Sequence, residues 1–163
     1  MKHWALTDVR RMYEKFRSLT KGRNCKFVTK RALHEILPFG IATTSKIYDH
    51  FNIKNDTKIS FYEMLMAIIW TSYAHRGQKI EFVYKLIDGR NEQDISFTEM
   101  YETIKWTLKG IGKVRGIKMP KSKELMVVSY KAFVSADASN DNQIDMSEMV
   151  TWVELNKNWI DFC

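Results

Sequence analysis

Apolar residues recur at helical spacing in short segments of this chain, and polar loops separate the segments. Apolar positions three or four residues apart form one face of a helix. Two clear examples are the series Phe61, Met64, Leu65, Ile68 and the series Phe97, Met100, Ile104, Leu108. The pattern therefore predicts a chain of short amphipathic helices rather than a sheet.

Three of the segments begin with nearly the same residues. In Ile59–Met64, Ile95–Met100 and Ile144–Met149, an isoleucine stands four residues before a glutamate, and a methionine follows the glutamate. Each isoleucine comes after a polar loop, which itself follows another apolar segment of helical spacing. Self-similarity of this kind indicates a structural repeat, and the repeating unit is helix, loop, helix.

A fainter copy of the unit lies at the start of the chain. Val9 to Leu19 has the pattern of an entering helix, Ala32 to Ile36 that of an exiting one, and Phe27 takes the isoleucine position if the loop starts at Thr20. Four units make two pairs. We therefore expect an all-α fold of two lobes, residues 1–75 and 76–163, with short two-stranded bridges between paired loops.

Glycine and proline interrupt the pattern at two places. One is Leu37-Pro38-Phe39-Gly40, and the other is residues 109–123, which contain three glycines and Pro120. This density predicts linkers rather than continued helix. The second stretch is also a basic insert before the fourth unit, with six Lys or Arg residues and no acid.

The composition suits a folded chain that needs no disulfides. With 163 residues, of which 45% are apolar, the chain can bury one core or two small ones. Cys25 and Cys163 lack the paired spacing of a disulfide framework, and no secretory signal precedes them, which predicts an intracellular, cytoplasmic protein. The longest apolar run, Met64–Trp70, is too short to span a bilayer, and Lys2 stands where myristoylation requires glycine. We expect no membrane anchor.

The net charge of +7 is unevenly spread, with the excess of Lys and Arg in residues 9–31 and 109–123. So uneven a distribution argues against a nucleic-acid-binding surface, whereas an acidic cytoskeletal surface would attract both stretches. The four histidines are scattered, and no glycine-rich phosphate loop or nucleophile signature is present. Because no constellation of acid, base and nucleophile can be assembled, we expect no enzyme.

One loop carries an almost complete set of calcium ligands. A calcium loop of 12 residues takes oxygen atoms from positions 1, 3, 5, 9 and 12, and a backbone carbonyl from position 7. Position 6, usually glycine, is Asn142, which tolerates the left-handed backbone better than most residues. The sequence predicts one Ca²⁺ site, with Mg²⁺ as the alternative ion, in loop four (residues 137–148), whose ligand positions hold Asp137, Ser139, Asp141, Gln143, Asp145 and Glu148.

The other three loops have lost ligands. Loop three (88–99) has Arg90 at position 3, where a guanidinium offers no acceptor, so its oxygen-bearing residues are only weak metal candidates. In loop two (52–63), Lys54 is expected to neutralise Asp56 and Glu63. Loop one (20–31) contains no acid, and Arg31 ends it. The weak candidates of loop three are Asp88, Glu92, Asp94, Ser96 and Glu99.

With these loops the chain resembles the four-EF-hand family that includes calcineurin B, the neuronal calcium sensors and the ciliary protein calaxin. The features that carry the resemblance are loop four, the acid-free loop one, the entering segment Val9–Phe16 and the insert before the fourth unit. The resemblance implies four EF-hand units in two paired lobes, calcium sensing, and a hydrophobic face that grips a partner helix. Through calaxin, it also implies a cilium or axoneme as the location.

Two functions are compatible with this sequence. In the first, the chain is a calcium-binding adaptor whose lobes hold an amphipathic partner helix, helped by nine adaptable methionines. Trp70, Trp106, Trp152 and Trp159 are candidate anchors for such a partner, although aromatics at helical spacing usually pack inward. In the second, the chain is a constitutive structural protein of a large cytoskeletal assembly, such as a ciliary doublet microtubule complex, and metal matters little.

Overall fold

The computed structural model describes residues 4–21, 25–88 and 93–156. Within these ranges the chain forms eight helices and one small antiparallel sheet, which confirms the predicted mostly helical class. The elements are α1 (Leu6–Leu19), β1 (Phe27–Thr29), α2 (Lys30–Ile36), α3 (Ile41–Phe51), β2 (Lys58–Ser60), α4 (Phe61–Thr71), α5 (Arg76–Ile87), α6 (Phe97–Arg115), α7 (Ser122–Ala136) and α8 (Met146–Leu155).

The chain divides into two compact units. The first contains Met1–Tyr73 together with Lys109–Ile117, and the second contains Ala74–Leu108 together with Lys118–Cys163. The predicted break between the first and second helix-loop-helix repeats, at residues 37–40, is confirmed, since α2 ends at Ile36 and α3 begins at Ile41. Along the ranges that the structure covers, no helix combines the length and the apolar character needed to cross a membrane.

The core of the first unit lies between α1 and α4. Val9, Met12 and Phe16 are buried on one face of α1, as their spacing predicts. The Phe16 ring stacks on the Phe61 ring with 3.8 Å between centroids. Helix α4 is buried along most of its length, from Phe61 to Ile69, because it lacks a polar stripe. A helix that is apolar all round belongs in an interior.

The two loops of the first unit pair through β1 and β2. The register of this pairing corrects the prediction that Phe27 takes the isoleucine position of loop one. Val28 lies opposite Ile59, and Phe27 lies opposite Ser60. Val28 is 4% exposed and Phe27 is 47% exposed, so Val28 rather than Phe27 is the counterpart of the isoleucine. Alternate residues of a strand point to opposite faces, so a shift of one residue decides which side chain enters the core.

The predicted linker over residues 109–123 is wrong for its first half, because α6 continues to Arg115. Gly110 is required there by close packing rather than by flexibility. A Cβ atom at this position would lie 2.0 Å from the backbone carbonyl oxygen of Glu63 and 3.3 Å from the Cβ of Ala67. The glycine therefore lets the last part of α6 approach α4, and the chain breaks only after Arg115, where Gly116 has a φ of +68°.

In the second unit, α8 packs against both α5 and α7. The buried residues of α5 include Ile80, Val83 and Tyr84, and those of α8 include Trp152. Loops three and four meet through a single bridge, in which Ile95 and Ile144 exchange backbone hydrogen bonds of 2.9 and 3.0 Å. Both isoleucines are fully buried, as expected for residues that pin two loops to a core.

Candidate functional site

Two residues of loop four adopt the left-handed backbone conformation. Asn140 has a φ of +60° and Asn142 a φ of +64°. Asparagine adopts this conformation at lower cost than other residues with a side chain, apart from aspartate. The turn that was predicted at Asn142 is therefore present, and a second one occurs two residues earlier.

The Asp137 carboxylate faces the inside of loop four. Asp137 follows the last residue of α7 and is 8% exposed. Its Oδ1 accepts a hydrogen bond of 3.2 Å from the Asp141 N–H, and its Oδ2 accepts one of 3.1 Å from the Asn142 N–H. The Ser139 hydroxyl also donates to Oδ1, over 3.4 Å. The first predicted ligand thus organises the loop around its own oxygen atoms.

The Glu148 carboxylate closes the loop from the other end. Its Oε1 accepts a 2.8 Å hydrogen bond from the Ser139 N–H, and its Oε2 accepts one of 3.1 Å from the Asp145 N–H. In return, Asp145 Oδ1 accepts the Glu148 N–H at 2.7 Å, which completes a capping box at the start of α8. Partial burial raises the pKa of Glu148, but hydrogen bonds from the Ser139 and Asp145 N–H groups outweigh it and hold the pKa below its ordinary value.

The donor set of loop four fits a hard cation by its chemistry. It consists of carboxylate, hydroxyl and carbonyl oxygen atoms, which Ca²⁺ and Mg²⁺ both prefer. In the arrangement described, the carboxylates accept backbone N–H groups, as when Asp141 Oδ1 accepts the Gln143 N–H at 2.9 Å. Over residues 4–21, 25–88 and 93–156, no three His, Cys, Asp or Glu side chains are grouped so that they could hold a metal ion. Because the carboxylate oxygens of loop four already accept backbone N–H groups, a bound ion would have to compete with those hydrogen bonds.

Loop three uses its acids in the same way. Asp88 Oδ2 accepts the Gln93 N–H at 3.1 Å, and Glu99 Oε2 accepts both the N–H and the hydroxyl of Ser96, at 2.9 and 2.6 Å. Asp94 is half-buried. Arg90 and Glu92 lie outside the described residues.

Tyr84 is a residue of this region that the sequence did not single out. Its hydroxyl donates to the carbonyl oxygens of Gln93 and Ile144, the latter at 3.1 Å. Burial, followed by the charges of Asp94 and Asp88, raises the pKa of Tyr84 to about 12. The only sequence signal was its place in an apolar series of helical spacing, which indicates a buried ring but not what its hydroxyl binds.

Side-chain hydrogen bonds close loop two, and lysines pair with its last acid. Asn52 Nδ2 donates to the Asp56 carbonyl at 2.8 Å, and Asn52 Oδ1 accepts the Asp56 N–H at 2.9 Å. Glu63 is 8% exposed, and its carboxylate pairs with Lys113 at 2.8 Å and with Lys109 at 3.7 Å. The neutralising charge therefore comes from α6 rather than from Lys54, which is exposed. In loop one, Arg31 is also exposed, and residues 22–24 lie outside the described ranges.

An apolar stripe lies on the outer surface of α7. Four side chains, exposed by 45% to 59%, form it: Met126, Val127, Tyr130 and Val134. Positions 126, 130 and 134 follow one i, i+4 ridge of the helix. Exposed lysines at 118, 121, 123 and 131 flank the stripe. The nearby acid Glu124 accepts the Lys121 N–H at 2.8 Å and caps the helix.

No protein-family model matches this chain.

Proposed function

We propose that this chain is a non-catalytic EF-hand protein that binds one calcium ion in loop four and acts by binding a protein partner. The observation that carries the proposal is the architecture of loop four. Its first acid, Asp137, is buried with both oxygen atoms turned to the loop interior, and its last acid, Glu148, reaches back to the third residue, Ser139. An ion that displaces the N–H groups from these carboxylates would meet oxygen donors at both ends of the loop, the ligand type that a hard cation prefers.

Calcium is preferred to magnesium in this proposal because calcium accepts a more flexible coordination geometry. The loop offers four carboxylates, and Glu148 can give both oxygen atoms, whereas Mg²⁺ demands a small octahedral site. Loops one, two and three are proposed to remain metal-free, since loop one lacks acids, Glu63 is held by lysines and Glu99 by Ser96. An intracellular location, and a cilium in particular, are part of the proposal through the resemblance.

We propose the α7 stripe as the partner-binding surface. It is apolar and lies beside Phe97, whose ring meets the Tyr130 ring edge-on with 5.9 Å between centroids. A ridge of i, i+4 side chains fits the groove of another helix. Because residues 118–131 carry four exposed lysines and one acid, Glu124, charge complementarity favours an amphipathic helix with acidic residues along its edges.

The alternative is a constitutive structural protein of a cytoskeletal assembly. The closure of loop two by Asn52 and Asp56, and the pairing of β1 with β2, favour it, because hydrogen bonds within the protein already join the loops of the first unit. In that case calcium would stabilise the last loop without changing partner binding.

Calcium titration followed by calorimetry and tryptophan fluorescence tests the site. We expect one ion per chain and a response from Trp152, which is buried in α8 directly after loop four. Glu148→Gln should abolish binding, whereas Glu154→Gln, an exposed position on the same helix, should leave it unchanged. Absence of calcium binding in the unmodified chain contradicts the calcium part of the proposal.

Helical peptides test the partner surface. A peptide with a leucine ridge and glutamate edges should bind more tightly than the same peptide with lysine edges, and Val127→Ser with Val134→Ser should weaken it. Ile41→Ser, at an apolar position 77% exposed in the first unit, is the control. Equal binding of both peptides, or binding only to anionic vesicles, would contradict the α7 stripe as the partner-binding surface.

Equal co-sedimentation with microtubules in calcium and in chelator would favour the structural alternative.

A further inference from the structure

The ammonium group of Lys113 touches both ends of loop two. Its Nζ lies 2.8 Å from Glu63 Oε2, at the last position of the loop, and donates a 2.9 Å hydrogen bond to the carbonyl oxygen of Phe51, directly before the first position. The same Nζ lies 6.0 Å from the centre of the Phe51 ring. A single cation thus bridges the end of α3 and the start of α4.

We propose that Lys113 occupies a cation site of the first unit, in which the ammonium group takes the structural place that a divalent ion has in a metal-binding loop. A metal ion would join the entering and exiting helices by drawing their oxygen atoms to one charge. Lys113 does the same with one carboxylate and one carbonyl oxygen. This inference does not depend on calcium binding in loop four.

Packing of residues 109–115 places this ammonium. Gly110 lets the helix approach until a Cβ would meet the Glu63 carbonyl at 2.0 Å, and Ile111 is 3% exposed. Lys113 follows Gly110 by three residues, less than one turn, and Lys109 adds a second positive charge 3.7 Å from Glu63 Oε1. The site is therefore built from a close helix contact and two lysines of one face.

The buried carboxylate of Glu63 requires a cation such as Lys113 beside it. The Glu63 side chain is only 11% exposed, and an ionised carboxylate in such surroundings is costly unless a cation and hydrogen bonds offset it. The Phe51 carbonyl oxygen lies at the C-terminal end of α3, where the partial negative charge of the helix also favours a cation. Asn52 and Asp56 close loop two through two hydrogen bonds in which Glu63 takes no part.

The first test is a double-mutant cycle between Lys113→Met and Glu63→Gln, measured by chemical unfolding in a chelator. Lys113→Met should lower the unfolding midpoint strongly, because it leaves the buried carboxylate with only the more distant Lys109 as a counterion. Adding Glu63→Gln to Lys113→Met should recover part of that loss, since the buried negative charge of Glu63 is then removed as well. Lys105→Met, which breaks an ion pair with Glu102 on the same helix, is the matched control and should have a small effect. Additive effects would overturn the proposal.

The second test asks whether the site takes a divalent ion when the ammonium is removed. Calcium at millimolar concentration should raise the midpoint of Lys113→Met combined with Glu148→Gln, and this gain should disappear when Glu63→Gln is added. If the combination does not fold, Lys113→Ala with Glu148→Gln supplies the same comparison. No calcium gain in these variants, or loss of calcium binding from Glu63→Gln alone, overturns the substitution of ammonium for metal. A missing calcium gain does not bear on loop four, whose ligand is tested by Glu148→Gln alone, whereas loss of binding in Glu63→Gln would also contradict the loop-four site.

Discussion

The phenolic hydroxyl of Tyr84 in α5 donates a 3.1 Å hydrogen bond to the carbonyl oxygen of Ile144 in loop four, 60 residues further along the chain. The same hydroxyl bonds the carbonyl oxygen of Gln93 in loop three. One side chain therefore joins both loops of the second unit, beside the bridge between Ile95 and Ile144. The relative position of these loops is set by a residue that belongs to neither.

The first prediction concerns alkaline titration. The pKa of Tyr84 is raised from 10.0 to about 12, so between these values the folded state keeps a proton that the unfolded state has lost. The Tyr84 contribution to stability is therefore full below about pH 10 and falls as the pH rises towards 12. Burial also raises the pKa of Tyr62 to about 12. Ultraviolet absorbance of phenolate should therefore show that Tyr84→Phe lowers the amplitude of the late ionisation step by one tyrosine, and an unchanged amplitude would refute the assignment.

The second prediction concerns calcium removal. If loop four binds calcium, free ion at about 100 times the dissociation constant adds about 2.7 kcal/mol to the free energy of unfolding of the native state. Chelation should remove this increment from the unmodified chain and from Glu154→Gln, as thermal unfolding would report. Asp137→Asn, which loses the charge of the buried residue proposed as the first ligand, should show little difference between calcium and chelator. An increment of the same size in Asp137→Asn would exclude it as a ligand.

The third prediction concerns the backbone of loop four. Asn142 has a φ of +64°, a conformation that glycine adopts freely and β-branched residues do not. Asn142→Gly should change the free energy of unfolding by less than about 0.5 kcal/mol, because relief of strain is offset by greater freedom of the unfolded chain. Asn142→Val should lose about 1–3 kcal/mol. Chemical unfolding compares the two, and equal stability of both variants would contradict the left-handed turn.

The fourth prediction compares two helical glycines. Gly110→Ala places a Cβ atom 2.0 Å from the Glu63 carbonyl oxygen, whereas Gly77→Ala in α5 meets nothing within 4 Å. We expect Gly110→Ala to lose about 1–3 kcal/mol through overpacking. Gly77→Ala should gain about 0.5–1 kcal/mol, since alanine loses less entropy than glycine in a helix. Circular dichroism during urea unfolding distinguishes them; a neutral Gly110→Ala would contradict the close contact of α6 with α4.

The sequence predicted the helices where local patterns decide structure. The spacing of Val9, Met12 and Phe16 determined the buried face of α1, and the left-handed turn of loop four was visible at Asn142. The break at Pro38 followed from the missing N–H of proline. Each of these features depends on residues within one or two turns of each other, so periodicity and backbone preference were sufficient.

Long-range contacts could not be predicted in this way. Gly110 was interpreted as a linker residue, because a glycine required by a close helix contact has the same sequence signal as one in a flexible turn. The choice between Phe27 and Val28 depended on the register of β1 against β2. The ligands of loop four were candidates from their spacing, but the hydrogen bonds that now hold Asp137 and Glu148 arise from the folded backbone.

The amino-acid sequence by itself therefore determined the helical class and the loop with an almost complete set of oxygen donors, because these follow from local periodicity and residue chemistry. The tertiary structure alone decided which cation meets Glu63. Lys54 is close to Glu63 in sequence and Lys113 is 50 residues away, yet Lys113 makes the contact at 2.8 Å. Proximity along the chain does not decide ion pairing in a core, because the packing of α6 on α4 brings distant charges together and buries them.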